Sequence, residues 1–222
     1  GQVLVAADGD VDVLLTDSRY EGRAAVESPD VAAAVTRNPF AEALGRVDGR
    51  LGFEGDHVSY RQGTDLLAEA GQHGRELLSC HGMVEALRIV KDRAEVDALR
   101  QACAITTAAF EAMLDGLRPG RTERDLAVEL ERRFVDAGAD GLAFDLIVAS
   151  GPNGAVPHHE PTDRAVAAGE LVTFDIGARV DGYHADFTRT VAVGEPHPAW
   201  VELHRLVAAA QQAGVDAVVA GA

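Results

Sequence analysis

Two acids stand where acids are rare. Asp175 interrupts the apolar run LVTFDI, and Asp186, eleven residues on, lies in a second strand-like run, HADFTRTVAV. Between them is Asp181-Gly182, a dipeptide suited to a two-residue type I′ hairpin turn. With that turn, residue 180 pairs with 183 and Asp175 lies opposite Thr188. Asp186 is then the diagonal neighbour of Asp175, about 7–8 Å away at Cα and within reach of a shared ion. A different loop length would shift the register by a residue. Strand alternation places Thr173, Asp175 and Gly177 on one face and Val172, Phe174 and Ile176 on the other, while His184, Asp186 and Thr188 share a face. Two carboxylates this close in a low-dielectric site repel, so either one takes a proton or a cation sits between them. Oxygen donors suit Mn²⁺, Mg²⁺ or Zn²⁺. On pattern alone, a solvated sheet face explains the pair equally well.

Upstream, SGPNGAVPHHEPTDR (150–164) is a Gly/Pro-punctuated loop that carries His158 and His159, with His158 seventeen residues before Asp175. The other reactive side chains read as structural. Cys80 and Cys103 form no CxxC pair, and Cys103 is expected in the core on the apolar face of a helix. His57, His73 and His81 are expected to be solvated in polar loops, His197 and His204 lie on the last helix, and Arg19-Tyr20 sit at a helix start. No strand–GxGxxG–helix unit occurs, which argues against a dinucleotide site. Ser150 lacks the G-x-S-x-G elbow of a serine hydrolase.

The elements that must position these residues fall into two regions. Residues 1–90 alternate short strands and helices: strands at 3–7, 12–16, 31–37, 50–55 and 76–80, an Asp-Gly-Asp turn at 8–10, and helices at 19–28, from Pro39, and near 63–72. A long helix begins at Asp92, with Val96, Leu99, Cys103, Phe110, Leu114 and Leu117 on one face. Thr122 and Asp125 form a capping box for a second helix that buries Leu126, Leu130 and Phe134. A strand at 144–150, the His158 loop and the hairpin at 171–194 follow. A final helix runs from about Pro198 to Ala220, and the boundary between regions is expected near residues 88–92.

The formal net charge of −16 and pI near 4.8 argue against a nucleic-acid partner and against an anionic membrane surface. No apolar run is long enough to span a bilayer. The cytoplasm is the expected location. The chain begins at Gly1, so a preceding signal peptide stays open.

The stretches VASGPNGAVPHH, GELVTFDIGA and DGYHADFTRTVAVGEP resemble the M24 metallopeptidases of the creatinase/prolidase family, in the Xaa-Pro aminopeptidase and prolidase branch. TDSRYEGRAA and RAEVDALRQACAITTAAF extend the resemblance to essentially the whole chain. It implies an α/β creatinase-type N-terminal domain at 1–90 with its start missing. It implies an α+β pita-bread domain at 91–222 with only its first half present. Asp175 and Asp186 are then ligands of a centre of two divalent metal ions, manganese first, with cobalt or zinc as alternatives. By the family's pattern Asp175 would bind one ion bidentately and Asp186 would bridge both. His158 matches the catalytic histidine that contacts the substrate or its tetrahedral intermediate, whereas His159 matches no catalytic position. The implied activity is hydrolysis of the bond between an N-terminal residue and proline in a peptide substrate, by a homodimer or higher homo-oligomer.

By the family's pattern the remaining ligands, a histidine and two glutamates, and a second substrate histidine belong to the C-terminal half of the pita-bread domain and would fall beyond Ala222. The chain is therefore expected to be an internal fragment, inactive and poorly folded alone. A creatinase-like metal-free hydrolase is disfavoured by the two intact acids. A non-catalytic peptide-binding module stays open for the fragment. Methionine aminopeptidases share the metal pattern but usually lack a domain like 1–90.

Overall fold

The computed structural model describes residues 2–5 and 12–221. It divides into two compact units, 1–90 and 91–222. The Asp-Gly-Asp turn expected at 8–10 and the end of the strand expected at 3–7 lie outside the described residues.

The first unit runs β1 (Gln2–Leu4), β2 (Val13–Thr16), α1 (Glu21–Glu27), β3 (Ala32–Val35), α2 (Pro39–Arg46), β4 (Arg50–Glu54), α3 (Tyr60–Gln72), β5 (Glu76–Cys80) and α4 (Met83–Arg88). β2 pairs with β1 antiparallel and with β3 in parallel, and β4 pairs with β5 in parallel. Parallel pairing follows from the helix between each pair of strands, which returns the chain to the same end of the sheet. Asn38 caps α2 ahead of Pro39, and Ser59 with Gln62 forms a capping box that starts α3 earlier than its apolar pattern suggests. Leu4, Val13, Leu15 and Ala43 form one small core, and Leu44, Ala70 and Leu77 another.

The second unit begins with α5 (Arg93–Leu114) and α6 (Glu123–Asp136). Both carry the capping boxes that hold their first turns, Asp92 with Glu95 and Thr122 with Asp125. Short strands follow: β6 (Gly141–Leu142), β7 (Ile147–Ser150), β8 (Leu171–Ile176), β9 (Ala178–Val180), β10 (Tyr183–His184) and β11 (Phe187–Ala192), then α7 (Pro198–Asp216). β8 lies between β7 and β11, all antiparallel, and β9 lies between β6 and β10. The core joins Ile105, Phe110 and Met113 of α5 and Leu126, Leu130 and Phe134 of α6 to the inner sheet face, Val148, Val172, Phe174 and Ile176. Phe110 meets Phe174 edge-on at 5.5 Å between ring centroids. Burying each such side chain contributes about 1.5–3 kcal/mol.

Two expectations are corrected. Cys103 is exposed. The residues of α5 that pack down are Ala98, Ala102, Ile105, Thr106, Ala109, Phe110 and Met113; of the expected stripe Phe110 is buried and Leu114 and Leu117 pack against the core, while Cys103 lies off it. Alanines at 98, 102 and 109 fill the rest of this contact beside Phe110. His57 and His81 are exposed as expected, and each also meets an acid: His57 Nε2 lies 3.2 Å from Glu85 and His81 Nδ1 lies 2.8 Å from Asp56. The strand expected at 144–150 forms only from Ile147, and β6 adds a short pairing that was not foreseen. No helix among the described residues is long and apolar enough to cross a membrane. α7 buries none of its side chains, and its Trp200, Leu203, Leu206 and Val207 are exposed.

Candidate metal and peptide site

The hairpin forms in the expected register. Asp181 and Gly182 both take positive φ, 48° and 78°, as a type I′ turn requires. The Asp140 carboxylate holds the turn by accepting from Asp181 N at 2.6 Å. Val180 pairs with Tyr183, and further back Asp175 pairs with Thr188. One register therefore runs through both halves, and counting along it sets Gly177 opposite Asp186. Thr188 Oγ1 donates to Asp175 Oδ1 at 2.9 Å, so these two side chains share a face. Ala185 is buried while Asp186 and Thr188 are exposed, so alternation carries Asp186 onto that same face.

The two acids flank a bend. At Gly177 the chain leaves the sheet containing β8 and enters the one containing β9. A Cβ at Gly177 would stand 2.0 Å from the Ala185 carbonyl oxygen, so the two hairpin arms meet here with no room for a side chain. A bend in a strand threatens to orphan a backbone N–H. Buried Thr106 of α5 prevents that: its Oγ1 accepts from Ala178 N at 3.0 Å and donates to the Ala102 carbonyl at 2.8 Å. The core helix thus fixes the point from which both carboxylates project.

Neither Asp175 nor Asp186 has a basic partner among the described residues. Arg189, the nearest cation in the strand, donates to the Thr188 carbonyl at 2.7 Å and stacks over Phe187. Thr188 occupies one oxygen of Asp175, which leaves Asp175 Oδ2 and both oxygens of Asp186 for a ligand. The available donors are all carboxylate oxygens, a set that fits a hard or borderline divalent cation. The two negative charges on one face favour a cation for the same reason that they repel each other.

A different cluster in the first unit brings Glu54, His57 and Glu85 within 4.8 Å of one another. All three are exposed, and the His57–Glu85 pairing raises the His57 pKa above its ordinary value.

His158 is exposed, on a loop that leaves β7 through a 3₁₀ turn at Gly151–Ala155. That turn lies beside β8: a Cβ at Gly154 would be 3.9 Å from Thr173 Oγ1, on the same face as Asp175. His159 turns inward instead, its Nε2 2.8 Å from Glu123 Oε2.

Glu123 is the residue that the sequence concealed. It reads as an ordinary first-turn acid of α6, yet it is 0% exposed. Burial pushes its carboxyl up. Hydrogen bonds from His159, Thr162, Ser150 and Asn153 outweigh that and hold it far below the usual carboxylate range. Arg164 extends the network, donating to Ser150 Oγ at 2.6 Å and pairing with Glu170. The only signal in the sequence was the density of short polar side chains in 150–164, which does not identify their common acceptor.

Residues 97–222 match the description of metallopeptidase family M24, and residues 1–90 match the creatinase/prolidase N-terminal domain. A curated relative, the Xaa-Pro dipeptidase of Pyrococcus furiosus, is 34% identical over 77% of this chain and 48% of its own. Among solved structures, an Xaa-Pro dipeptidase from Bacillus anthracis superposes with a TM-score of 0.90 at 34% identity, covering 99% of this chain and 62% of the other. The X-Pro aminopeptidase of Thermotoga maritima gives a TM-score of 0.84 at 32% identity, covering 95% and 58%. The chain therefore spans between about half and three fifths of the length of these relatives.

Proposed function

The chain belongs to metallopeptidase family M24, with a creatinase-type domain ahead of part of a pita-bread domain, and on that premise we propose that it is part of a metal-dependent peptidase cleaving between an N-terminal residue and proline. The observation that carries this reading is the acid couple at the hairpin bend, which has no basic partner among the described residues. Asp175 and Asp186 are proposed to hold two divalent ions, manganese first, with cobalt or zinc as alternatives. When bound, such ions supply Lewis acidity toward the scissile carbonyl. The chain's own part is to present the carboxylates from a rigid bend and to place His158 near them. His158 is proposed to donate toward the charge that develops on the scissile carbonyl oxygen.

A bond before proline is a tertiary amide with no N–H, so a site for it must recognise the ring rather than a donor. Relatives named as dipeptidase and as aminopeptidase both support Xaa-Pro cleavage. A homodimer or higher homo-oligomer in the cytoplasm belongs to the same proposal. The test is to strip the full-length protein of metal, reload it with Mn²⁺, and assay an Xaa-Pro dipeptide beside a longer Xaa-Pro peptide. Metal-dependent release of the N-terminal residue is expected, and the preferred length separates dipeptidase from aminopeptidase. A metal-loaded protein that cleaves neither peptide refutes the reading.

A further inference from the structure

The chemistry proposed above gives Glu123 no part, yet its buried carboxylate makes more polar contacts than any other acid among the described residues. Its two oxygens divide the loop that carries His158. Oε1 accepts from Ser150 N at 2.7 Å, Ser150 Oγ at 2.7 Å and Asn153 Nδ2 at 2.9 Å. Oε2 meets His159 Nε2 at 2.8 Å and accepts from Thr162 N at 3.1 Å and Thr162 Oγ1 at 2.7 Å. One carboxylate thus holds both feet of the loop, 150–153 and 159–162. Between them, Gly154 to His158 is exposed throughout.

The first turn of α6 reinforces the second foot with backbone bonds, Glu123 N to the Arg164 carbonyl at 3.1 Å and Arg124 N to the Thr162 carbonyl at 3.0 Å. Burying a charge is costly unless its hydrogen bonds are complete, and here they are complete on both oxygens. A helix that needed only to cover the core would be served by an apolar residue at this position.

We infer that Glu123 is a positioning residue: by holding both feet of loop 150–162 it sets where His158 stands against the face bearing Asp175 and Asp186. The inference rests on the proposed role of His158. The substitution that probes it is Glu123→Gln, which keeps the shape and exchanges one acceptor for a donor. The Oε1 arm contains two groups that only donate, Ser150 N and Asn153 Nδ2. The Oε2 arm contains one, Thr162 N, beside a hydroxyl and an imidazole that can both accept. The amide therefore turns its NH₂ toward the second foot, orphans Thr162 N, and loosens the segment next to His158.

The experiment is a double-mutant cycle in the full-length, metal-loaded protein: E123Q, H158A and both together, with metal content and hydrogen exchange measured for each. E123Q is expected to keep its metal and to speed exchange of the loop amides. It is also expected to lower kcat on an Xaa-Pro substrate by roughly 10–100-fold, the scale of a misplaced group. In the H158A background the same change should cost less than about threefold, because coupled residues are not additive. Equal losses in both backgrounds, or unchanged loop exchange, would overturn the inference and leave Glu123 a structural residue. A failure of the underlying reading looks different: H158A alone would turn over like the wild type. Should E123Q fail to fold, Thr162→Val removes a single donor from Oε2, and the same coupling to H158A decides.

Discussion

Replacing Gly177 by alanine sets two effects of opposite sign against each other. Where a backbone accepts either residue, Gly→Ala stabilises by about 0.4–1 kcal/mol by narrowing the unfolded ensemble. At Gly177 the structure opposes this. The new methyl would lie 2.0 Å from the Ala185 carbonyl oxygen, 3.0 Å from the Ala185 carbonyl carbon and 3.0 Å from Ala143 Cβ. Two of those three neighbours are backbone, so no side-chain rotation relieves the clash. The hairpin arms must separate by on the order of 1 Å, an overpacking cost of about 1–3 kcal/mol. Separation also strains Ala185 N to the Ala178 carbonyl at 3.0 Å and Ala143 N to the Gly177 carbonyl at 2.8 Å. At about 1 kcal/mol for each such bond, the total is a destabilisation of about 3 kcal/mol. Urea unfolding of the full-length protein measures it, and calorimetric titration with Mn²⁺ should show weaker binding, because the bend positions both acids. A variant as stable as the wild type, or more so, would show that the arms are not locked together at this point and would refute the argument.

Other outcomes follow from the same geometry. Thr106→Val should cost about 1–3 kcal/mol by leaving Ala178 N unpaired, with Thr106→Ser close to wild type; equal melting of both variants would rule out the hydroxyl as the cause. Asp186→Ala should remove most divalent metal from the full-length protein, and full metal content by elemental analysis would sink its assignment. His158→Ala should retain metal but lose about 10²–10³ in kcat; loss of metal would make it a ligand. Glu123, Glu129 and Glu170 all have lowered pKa values in the fold. The unfolded chain therefore binds more protons as pH falls below about 4.3, and stability complete above that pH declines below it. Thermal melts from pH 6 to pH 3 should show this decline, with a shallower slope in Glu123→Gln.

Local rules made part of this protein legible in its sequence. The hairpin register could be counted because a two-residue turn and a period of two leave only one pairing once Asp181-Gly182 is recognised. The capping box at Thr122 was equally local, needing only a side chain and a backbone N–H three residues away. The family resemblance rested on the same contiguous stretches. What sequence could not settle were choices made by distant partners. The face of α5 that packs down is decided by the sheet, and alanine, small and only weakly apolar, does not announce that it will be buried; so Cys103 was placed inside and lies outside. Glu123 shows the same limit more sharply. A carboxylate at a helix start is ordinarily solvated, and only the return of residues 150–162 across its first turn supplies the donors that make its burial possible. Short-range hydrogen bonds and periodicity are written along the chain, whereas the burial of a particular side chain depends on which remote segment covers it, and that exists only once the chain has folded.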